Sequence, residues 1–134
     1  MPYSFNIHTE AWPLAGAFRI SRGTRRVSDV LMVDVNDGNY VGRGECFPYA
    51  RYGEDTESVQ KQLNSVRSEI EDGLDRQALL NVLAPGAARN AVDCALWDLE
   101  AKRAGTRVWD LAGLPAPEPV TTVYTLGVDE PAIM

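Results

Sequence analysis

Val30-Leu31-Met32-Val33-Asp34-Val35-Asn36-Asp37-Gly38-Asn39-Tyr40-Val41-Gly42-Arg43-Gly44-Glu45 decides the architecture. Val30–Val35 is mostly apolar and reads as a strand. Asp37-Gly38 follows, and that pair supplies the positive φ angles of a tight hairpin turn. Tyr40–Glu45 returns as the partner strand. Gly42 and Gly44 weaken it and signal a close backbone approach or a bulge. Upstream, Tyr3–Trp12 supplies an earlier strand that stops at Pro13. The three strands form a small antiparallel meander.

Downstream the period changes to that of a helix. Thr56 caps a helix whose apolar residues are Val59, Leu63, Val66 and Ile70, spaced four, three and four apart on one stripe. Gly73 ends it with a left-handed cap. Asp75 caps a short helix carrying Leu79, Leu80 and Leu83, which Pro85-Gly86 breaks. A third helix runs from Ala87 to Ala104. Ala88, Val92, Ala95, Leu96 and Leu99 make one face; Ala91, Cys94 and Ala101 make its neighbour. An apolar arc that wide is packed on more than one side. Gly105 closes this helix, and Val108–Leu111 starts another turn.

The sheet and helices together predict an α+β domain. The 134 residues suffice for a real core. A net charge of −6 argues against a nucleic-acid partner. No apolar run approaches the ~18 residues of a membrane span, and residues 1–10 lack the pattern of a secretory signal. Cys46 and Cys94 have no metal-ligand spacing and read as reduced thiols of a cytoplasmic protein.

After the joint Pro115–Pro119, Val120–Val128 reads as one more strand. Asp129-Glu130-Pro131 then announces a helix, and the chain ends at Met134. Two readings stand: a piece of a longer protein, or a frayed natural end.

Four stretches carry a resemblance. They are Trp12-Pro13-Leu14 leading into Ser21-Arg22-Gly23-Thr24-Arg25; Gly44-Glu45-Cys46-Phe47-Pro48-Tyr49-Ala50-Arg51-Tyr52-Gly53-Glu54; Gly86-Ala87-Ala88-Arg89-Asn90-Ala91-Val92-Asp93-Cys94-Ala95-Leu96-Trp97-Asp98-Leu99; and Val120–Val128. Together they resemble the N-terminal capping domain of the enolase superfamily, muconate lactonizing subgroup. The Arg-Gly-Thr-Arg loop and Pro-Tyr-Ala-Arg-Tyr-Gly-Glu are most similar to the L-Ala-D/L-Glu epimerases, which interconvert isomers of a dipeptide derived from cell-wall peptide. Asp55 departs from the small hydroxyl residue more usual there.

The resemblance implies a division at residues 1–115 for the cap and 116–134 for a joint plus the first strand of a truncated modified TIM barrel. In such enzymes two barrel lysines exchange the α-proton, and three carboxylates hold Mg²⁺, which stabilises the enediolate. All of these lie beyond Met134, so the resemblance implies no catalytic residue and no metal ligand in this chain. Mg²⁺ would serve the full-length enzyme only. The partners implied are a small dipeptide and the missing barrel.

The same resemblance makes Gly16–Arg26 and Phe47–Asp55 the two loops that close over substrate. Arg25 matches the arginine expected to contact the substrate's glutamate side chain, since guanidinium and carboxylate pair through two hydrogen bonds. Arg22, Arg25 and Arg26 equally suit a solvated loop. Thr125 matches a position touching substrate near the reacting centre; it is also an ordinary β-branched strand residue. Arg51 and Tyr52 are further substrate-binding candidates, although an Arg51–Glu54 ion pair that shapes the loop is the simpler reading. Gly53 supplies a backbone angle. Glu45 reads as a structural hydrogen-bonding group, Asp93 and Asp98 as carboxylates satisfied by neighbours, His8 as neither base nor ligand, and Trp12, Trp97 and Trp109 as core or interface rings.

Two other functions fit the residues less well: a cycloisomerase or acid-sugar dehydratase of the same superfamily, and a noncatalytic module. In the latter an uncovered helix face and an unpaired Val120–Val128 would drive a homo-oligomer or strand-exchanged dimer.

Overall fold

The computed structural model describes residues 3–132. Three antiparallel strands in chain order, β1 (Ser4–Ile20), β2 (Gly23–Asn36) and β3 (Val41–Cys46), form the sheet. Five helices follow: α1 (Thr56–Ser65), α2 (Arg67–Glu71), α3 (Arg76–Val82), α4 (Ala87–Ala104) and α5 (Val108–Leu111).

The sheet is one-sided in β2 because its side chains alternate. Leu31, Val33 and Val35 are fully buried, whereas the alternate residues Met32, Asp34 and Asn36 are not. The register sets Val35 between Phe5 and Gly42, and Val33 between Ile7 and Gly44. Each glycine on β3 therefore leaves a trough beside a valine. Helix α4 lies in it with Ala91, Ala95 and Leu99 inward. The close approach expected at Gly42 and Gly44 is present, and β3 pairs with β2 without a register shift. The core also takes Val59, Leu63, Ile70, Leu79, Leu83 and Leu96. Truncating one of the fully buried leucines to alanine would cost about 2–5 kcal/mol.

The β2–β3 turn is looser than an Asp-Gly two-residue hairpin. Four residues, Asp37–Tyr40, separate the strands, and only Gly38 takes a positive φ, +95°. Side chains hold the turn instead. Asn36 accepts from the Gly38 amide at 2.7 Å, and Asp37 from the Asn39 and Tyr40 amides at 2.8 and 2.7 Å.

β1 does not stop at Pro13. It runs on to Ile20, paired with β2 as far as Gly23, with a register irregularity between Pro13 and Phe18. Proline lacks a ladder donor, but β1 is an edge strand, where the loss is tolerated. Because β3 pairs only with Leu31–Asn36, the outer part of the β1–β2 ribbon is two-stranded. It carries much of the exposed apolar surface: Trp12 is 57% exposed and Phe18 40%.

The helices differ from expectation in two places. Asp55, not Thr56, caps α1: its carboxylate accepts from the Ser58 amide at 2.7 Å, and the Ser58 hydroxyl returns a contact to the Asp55 amide. The Ser58 bonds hold the Asp55 carboxyl below the usual range. The single helix expected through Ile70 is broken at Val66 (φ −116°, ψ 15°), where the Ser65 hydroxyl bonds the Gln62 carbonyl. Val66 stays buried, so the apolar stripe survives the break. Gly73 and Gly105 take the expected left-handed conformations, and Asp75 caps α3 through the Ala78 amide. Leu80 faces out, 52% exposed.

Val120–Val128 is not a strand here. A strand needs a neighbour for its hydrogen bonds. Among the described residues the only backbone bond from this stretch joins the Val128 amide to the Arg19 carbonyl at 2.7 Å. Val120, Val123 and Tyr124 are 84–90% exposed. The helix start at Asp129-Glu130-Pro131 gives a turn at Pro131–Ala132, and its continuation lies outside the described residues.

Candidate functional site

The tip of the ribbon meets the loop that leaves β3. That loop, Phe47–Asp55, contains a single 3-10 turn at Ala50–Tyr52, closed by Gly53 at φ 72°, ψ 22°, so the backbone angle expected of Gly53 is present. Its far end is pinned by Glu54, whose Oε1 accepts from the Ala87 amide at the start of α4, 2.8 Å away. A carboxylate is well placed there because a helix N-terminus presents unpaired amides and partial positive charge. The expected Arg51–Glu54 ion pair is absent among the described residues, because Glu54 is engaged by α4 instead.

Between the two loops lies a cavity of about 580 Å³. Its walls are Phe18, Ile20, Arg22, Gly23, Thr24 and Arg25 from the ribbon, and Phe47, Tyr49 and Tyr52 from the loop. A second cavity, about 470 Å³, shares Phe18 and Arg25 with the first and includes Val27, Tyr124 and Thr125. Arg25 lines both. The structure therefore brings Arg25 and Tyr52 to one cavity and Arg25 and Thr125 to the other. Arg51 sits exposed on the 3-10 turn and lines neither, as does Arg26.

The larger cavity has two arginines and no acidic residue in its wall. Among the described residues neither Arg22 nor Arg25 has an ion-pair partner. Arg25 is held by rings instead: its guanidinium carbon lies 4.7 Å from the Phe47 centroid and 5.2 Å from that of Tyr49. The rings continue as a row, Phe47 to Tyr49 at 6.2 Å and Tyr49 to Tyr52 at 5.9 Å. Such a space suits an anionic group on a partly apolar molecule. Sequence reasoning gave no role to Phe18, Phe47 or Tyr49. Two of them stand in the quoted Phe-Pro-Tyr motif, but stacking across two loops leaves no periodic signal.

Some of the remaining polar groups have structural partners, but among the described residues the Glu45 and Asp93 carboxylates, expected to be satisfied by neighbours, make no hydrogen bond or ion pair. Asp98 accepts from the Arg43 amide at 2.8 Å and from Lys102 at 2.6 Å. The Glu45 side chain is exposed, while its backbone carbonyl accepts from Asn90 at 3.4 Å. His8 pairs with Glu10 at 3.2 Å. Trp97 is stacked by Arg76, whose guanidinium carbon is 3.4 Å from the ring centroid and which also pairs with Glu100. Burial pushes the Cys46 thiol up to about 11, with the Glu54 and Glu45 charges adding to the shift, so it is no thiolate nucleophile at neutral pH. Among the described residues no three His, Cys, Asp or Glu side chains gather as metal ligands, so these residues do not fit a Mg²⁺ site. No described helix is long and apolar enough to cross a membrane.

Residues 3–113 match the family described as mandelate racemase / muconate lactonizing enzyme, N-terminal domain. The chain belongs to this family. Its relatives in the family include the L-Ala-D/L-Glu epimerase of Escherichia coli K12, 46% identical over 125 residues, covering 93% of this chain and 39% of that protein. A crystal structure of an enolase family member from Agrobacterium tumefaciens with homology to dipeptide epimerases, holding sodium and L-Ala-L-Glu, superposes with a TM-score of 0.90 at 47% identity, covering 98% of this chain and 40% of that one. The dipeptide epimerase of Methylococcus capsulatus, complexed with Mg and L-Arg-D-Lys, superposes at 0.80 with 28% identity, covering 96% of this chain and 39% of its own. The chain thus spans about two fifths of the length of these relatives, and its three-stranded sheet with helices is their N-terminal domain fold.

Proposed function

We propose that this domain caps the active site of a Mg²⁺-dependent dipeptide epimerase that acts on L-Ala-D/L-Glu. The observation that carries the reading is the cavity between the two loops, with Arg22 and Arg25 in its wall and no carboxylate among its lining residues. A glutamate side chain is an anion of suitable size. Arg25 binds its carboxylate, Tyr52 and the aromatic row enclose its methylenes, and Thr125 flanks the dipeptide near the reacting carbon. Arg51 contributes at most from the rim, in keeping with its exposure. Closing the loops excludes water and strengthens the Arg25–carboxylate interaction.

Proton transfer at the α-carbon is assigned to residues outside this chain, and so are the Mg²⁺ ligands. Bound there, the metal would supply stabilisation of negative charge as the α-proton leaves. The cap is taken as residues 1–115 and the joint with the first barrel strand as 116–134. Support comes from the family match, which ends at residue 113, and from the lack of helix or ladder after Leu111 among the described residues. Two free thiols, Cys46 and Cys94, suit the cytoplasm. In isolation the exposed Val120, Val123, Tyr124 and Leu126 favour self-association or strand exchange.

The test is α-proton exchange of L-Ala-L-Glu in D₂O with Mg²⁺, catalysed by the whole enzyme carrying this domain. Exchange is expected, and Arg25→Met should weaken kcat/KM for L-Ala-L-Glu roughly 10- to 100-fold, the worth of a charge-assisted hydrogen-bonded pair. An enzyme that ignores Ala-Glu but turns over a cyclic or sugar acid belongs to the cycloisomerase or dehydratase branch instead.

A further inference from the structure

The Arg25 guanidinium meets the Phe47 and Tyr49 rings at 4.7 and 5.2 Å and, among the described residues, has no ion-pair partner. A guanidinium stacks through its faces and donates hydrogen bonds only in its plane. Two rings within this distance restrict how the guanidinium can turn, and with no ion-pair partner among the described residues its N–H groups are left to an acceptor. The two partners are not equally anchored. Phe47 directly follows Cys46, which ends β3 with its side chain in the core, and the loop's other end is tied to α4 through Glu54. Arg25 comes from the two-stranded part of the ribbon and is exposed. The aromatic pair is the fixed platform, and the arginine is what it orients.

We propose that Phe47 and Tyr49 are positioning residues that set the Arg25 guanidinium plane before substrate arrives, and that they determine the preference for an acidic over a neutral side chain on the substrate. The inference rests on the functional reading above and adds to it the residues through which Arg25 acts. A long, freely rotating arginine loses conformational freedom when it grips a carboxylate; one already stacked has lost most of it beforehand. The benefit falls only on substrates that use the N–H edge. A neutral side chain of similar length takes the same apolar contacts and gains nothing from the orientation of that edge.

The experiment compares kcat/KM for L-Ala-L-Glu and for L-Ala-L-Met in the whole enzyme carrying this domain. The variants are Phe47→Leu, Tyr49→Leu, their double, the ring-preserving pair Phe47→Tyr and Tyr49→Phe, and each leucine change in an Arg25→Met background. The double leucine variant should lower the Glu-to-Met preference roughly tenfold, through KM for L-Ala-L-Glu, as expected for two exposed cation–π contacts. The ring-preserving variants should retain the preference, and the leucine changes should not alter it further once Arg25 is methionine. An equal fall for both substrates, or a fall that persists without Arg25, would show a merely structural role and overturn the proposal. A wild-type enzyme that turns over dipeptides without favouring the acidic one overturns the functional reading itself and the platform with it. An unchanged preference in the double leucine variant of an acid-preferring enzyme overturns the platform alone.

Discussion

Gly44 on β3 lies directly against the carbonyl of Ala91 on α4: a Cβ built on this glycine would stand 1.9 Å from the Ala91 oxygen. One turn along, Gly42 has the same relation to Ala95, at 2.0 Å, and would also meet the Leu99 Cβ at 2.6 Å. These obstacles are backbone or backbone-proximal atoms, so no side-chain rotation relieves them.

Gly44→Ala should therefore push α4 off the sheet. Overpacking costs about 1–3 kcal/mol where side chains can yield and more where backbone must move, so a loss at or above the top of that range is expected. Gly16→Ala is the matched control, since nothing lies within 4 Å of its added Cβ. Thermal unfolding of the two variants checks the contrast; equal melting temperatures would mean that α4 does not seat on β3 as described.

Much of this packing was legible in the sequence, for a definite reason. Glycine in a strand withholds a side chain, so Gly42 and Gly44 implied close approach before α4 was placed. The Ala-rich face of α4, expected to be left uncovered, is instead buried at Ala88, Ala91, Ala95 and Ala101, with Ala91 and Ala95 against those glycines. The hairpin and the extent of α4 were legible because their signals are local. The run of β1 past Pro13 was not, since whether proline is tolerated depends on the strand being an edge. The Val66 break was not, because a single hydroxyl–carbonyl bond leaves the apolar period intact. In the site, the resemblance picked out Arg25 and Thr125, which do line shared space, whereas the Arg51–Glu54 pairing failed because the amide competing for Glu54 lies 33 residues away on α4.

Glu54 joins the second loop to α4, so its replacement tests that joint. Glu54→Ala leaves the Ala87 amide without its side-chain acceptor and should lower stability by about 0.5–2 kcal/mol, as for loss of a helix cap. Glu54→Gln keeps a neutral acceptor oxygen and should recover part of the loss. Melting temperatures rank the three proteins. Faster amide exchange at Gly53–Asp55 in the alanine variant alone is the expected local sign, and an unchanged loop would remove Glu54 from its anchoring role.

Asp37 predicts a pH dependence. The Arg103 guanidinium, bonded at 2.5 Å, lowers its pKa from 3.8 to about 2, and the Tyr40 and Asn39 amides add to the effect. A carboxyl with a folded pKa below its unfolded value stabilises the fold fully above the unfolded value, near pH 3.8, and loses that contribution as pH falls through about 2. Wild-type melting temperature should thus fall more steeply than that of Asp37→Asn between those limits. Coincident acid limbs would show that the Asp37–Arg103 contact adds nothing in solution.

The last prediction concerns Val120–Val128, where composition and structure part. Alternating β-branched and aromatic residues favour a strand only when a neighbouring strand offers donors and acceptors. Among the described residues the stretch has one backbone bond, from the Val128 amide to Arg19, and leaves Val120, Val123, Tyr124 and Leu126 59–90% exposed. In the isolated domain the amides of residues 120–127 should exchange with D₂O at nearly unprotected rates, while those of Leu31, Val33 and Val35 are slowed by the sheet and core. If the stretch is a barrel strand in the whole enzyme, the same amides should become protected there by several orders of magnitude, because a parallel neighbour supplies the missing ladder. Protection already present in the dilute isolated domain, and unchanged by further dilution, would instead mean that the segment finds its partner within this chain.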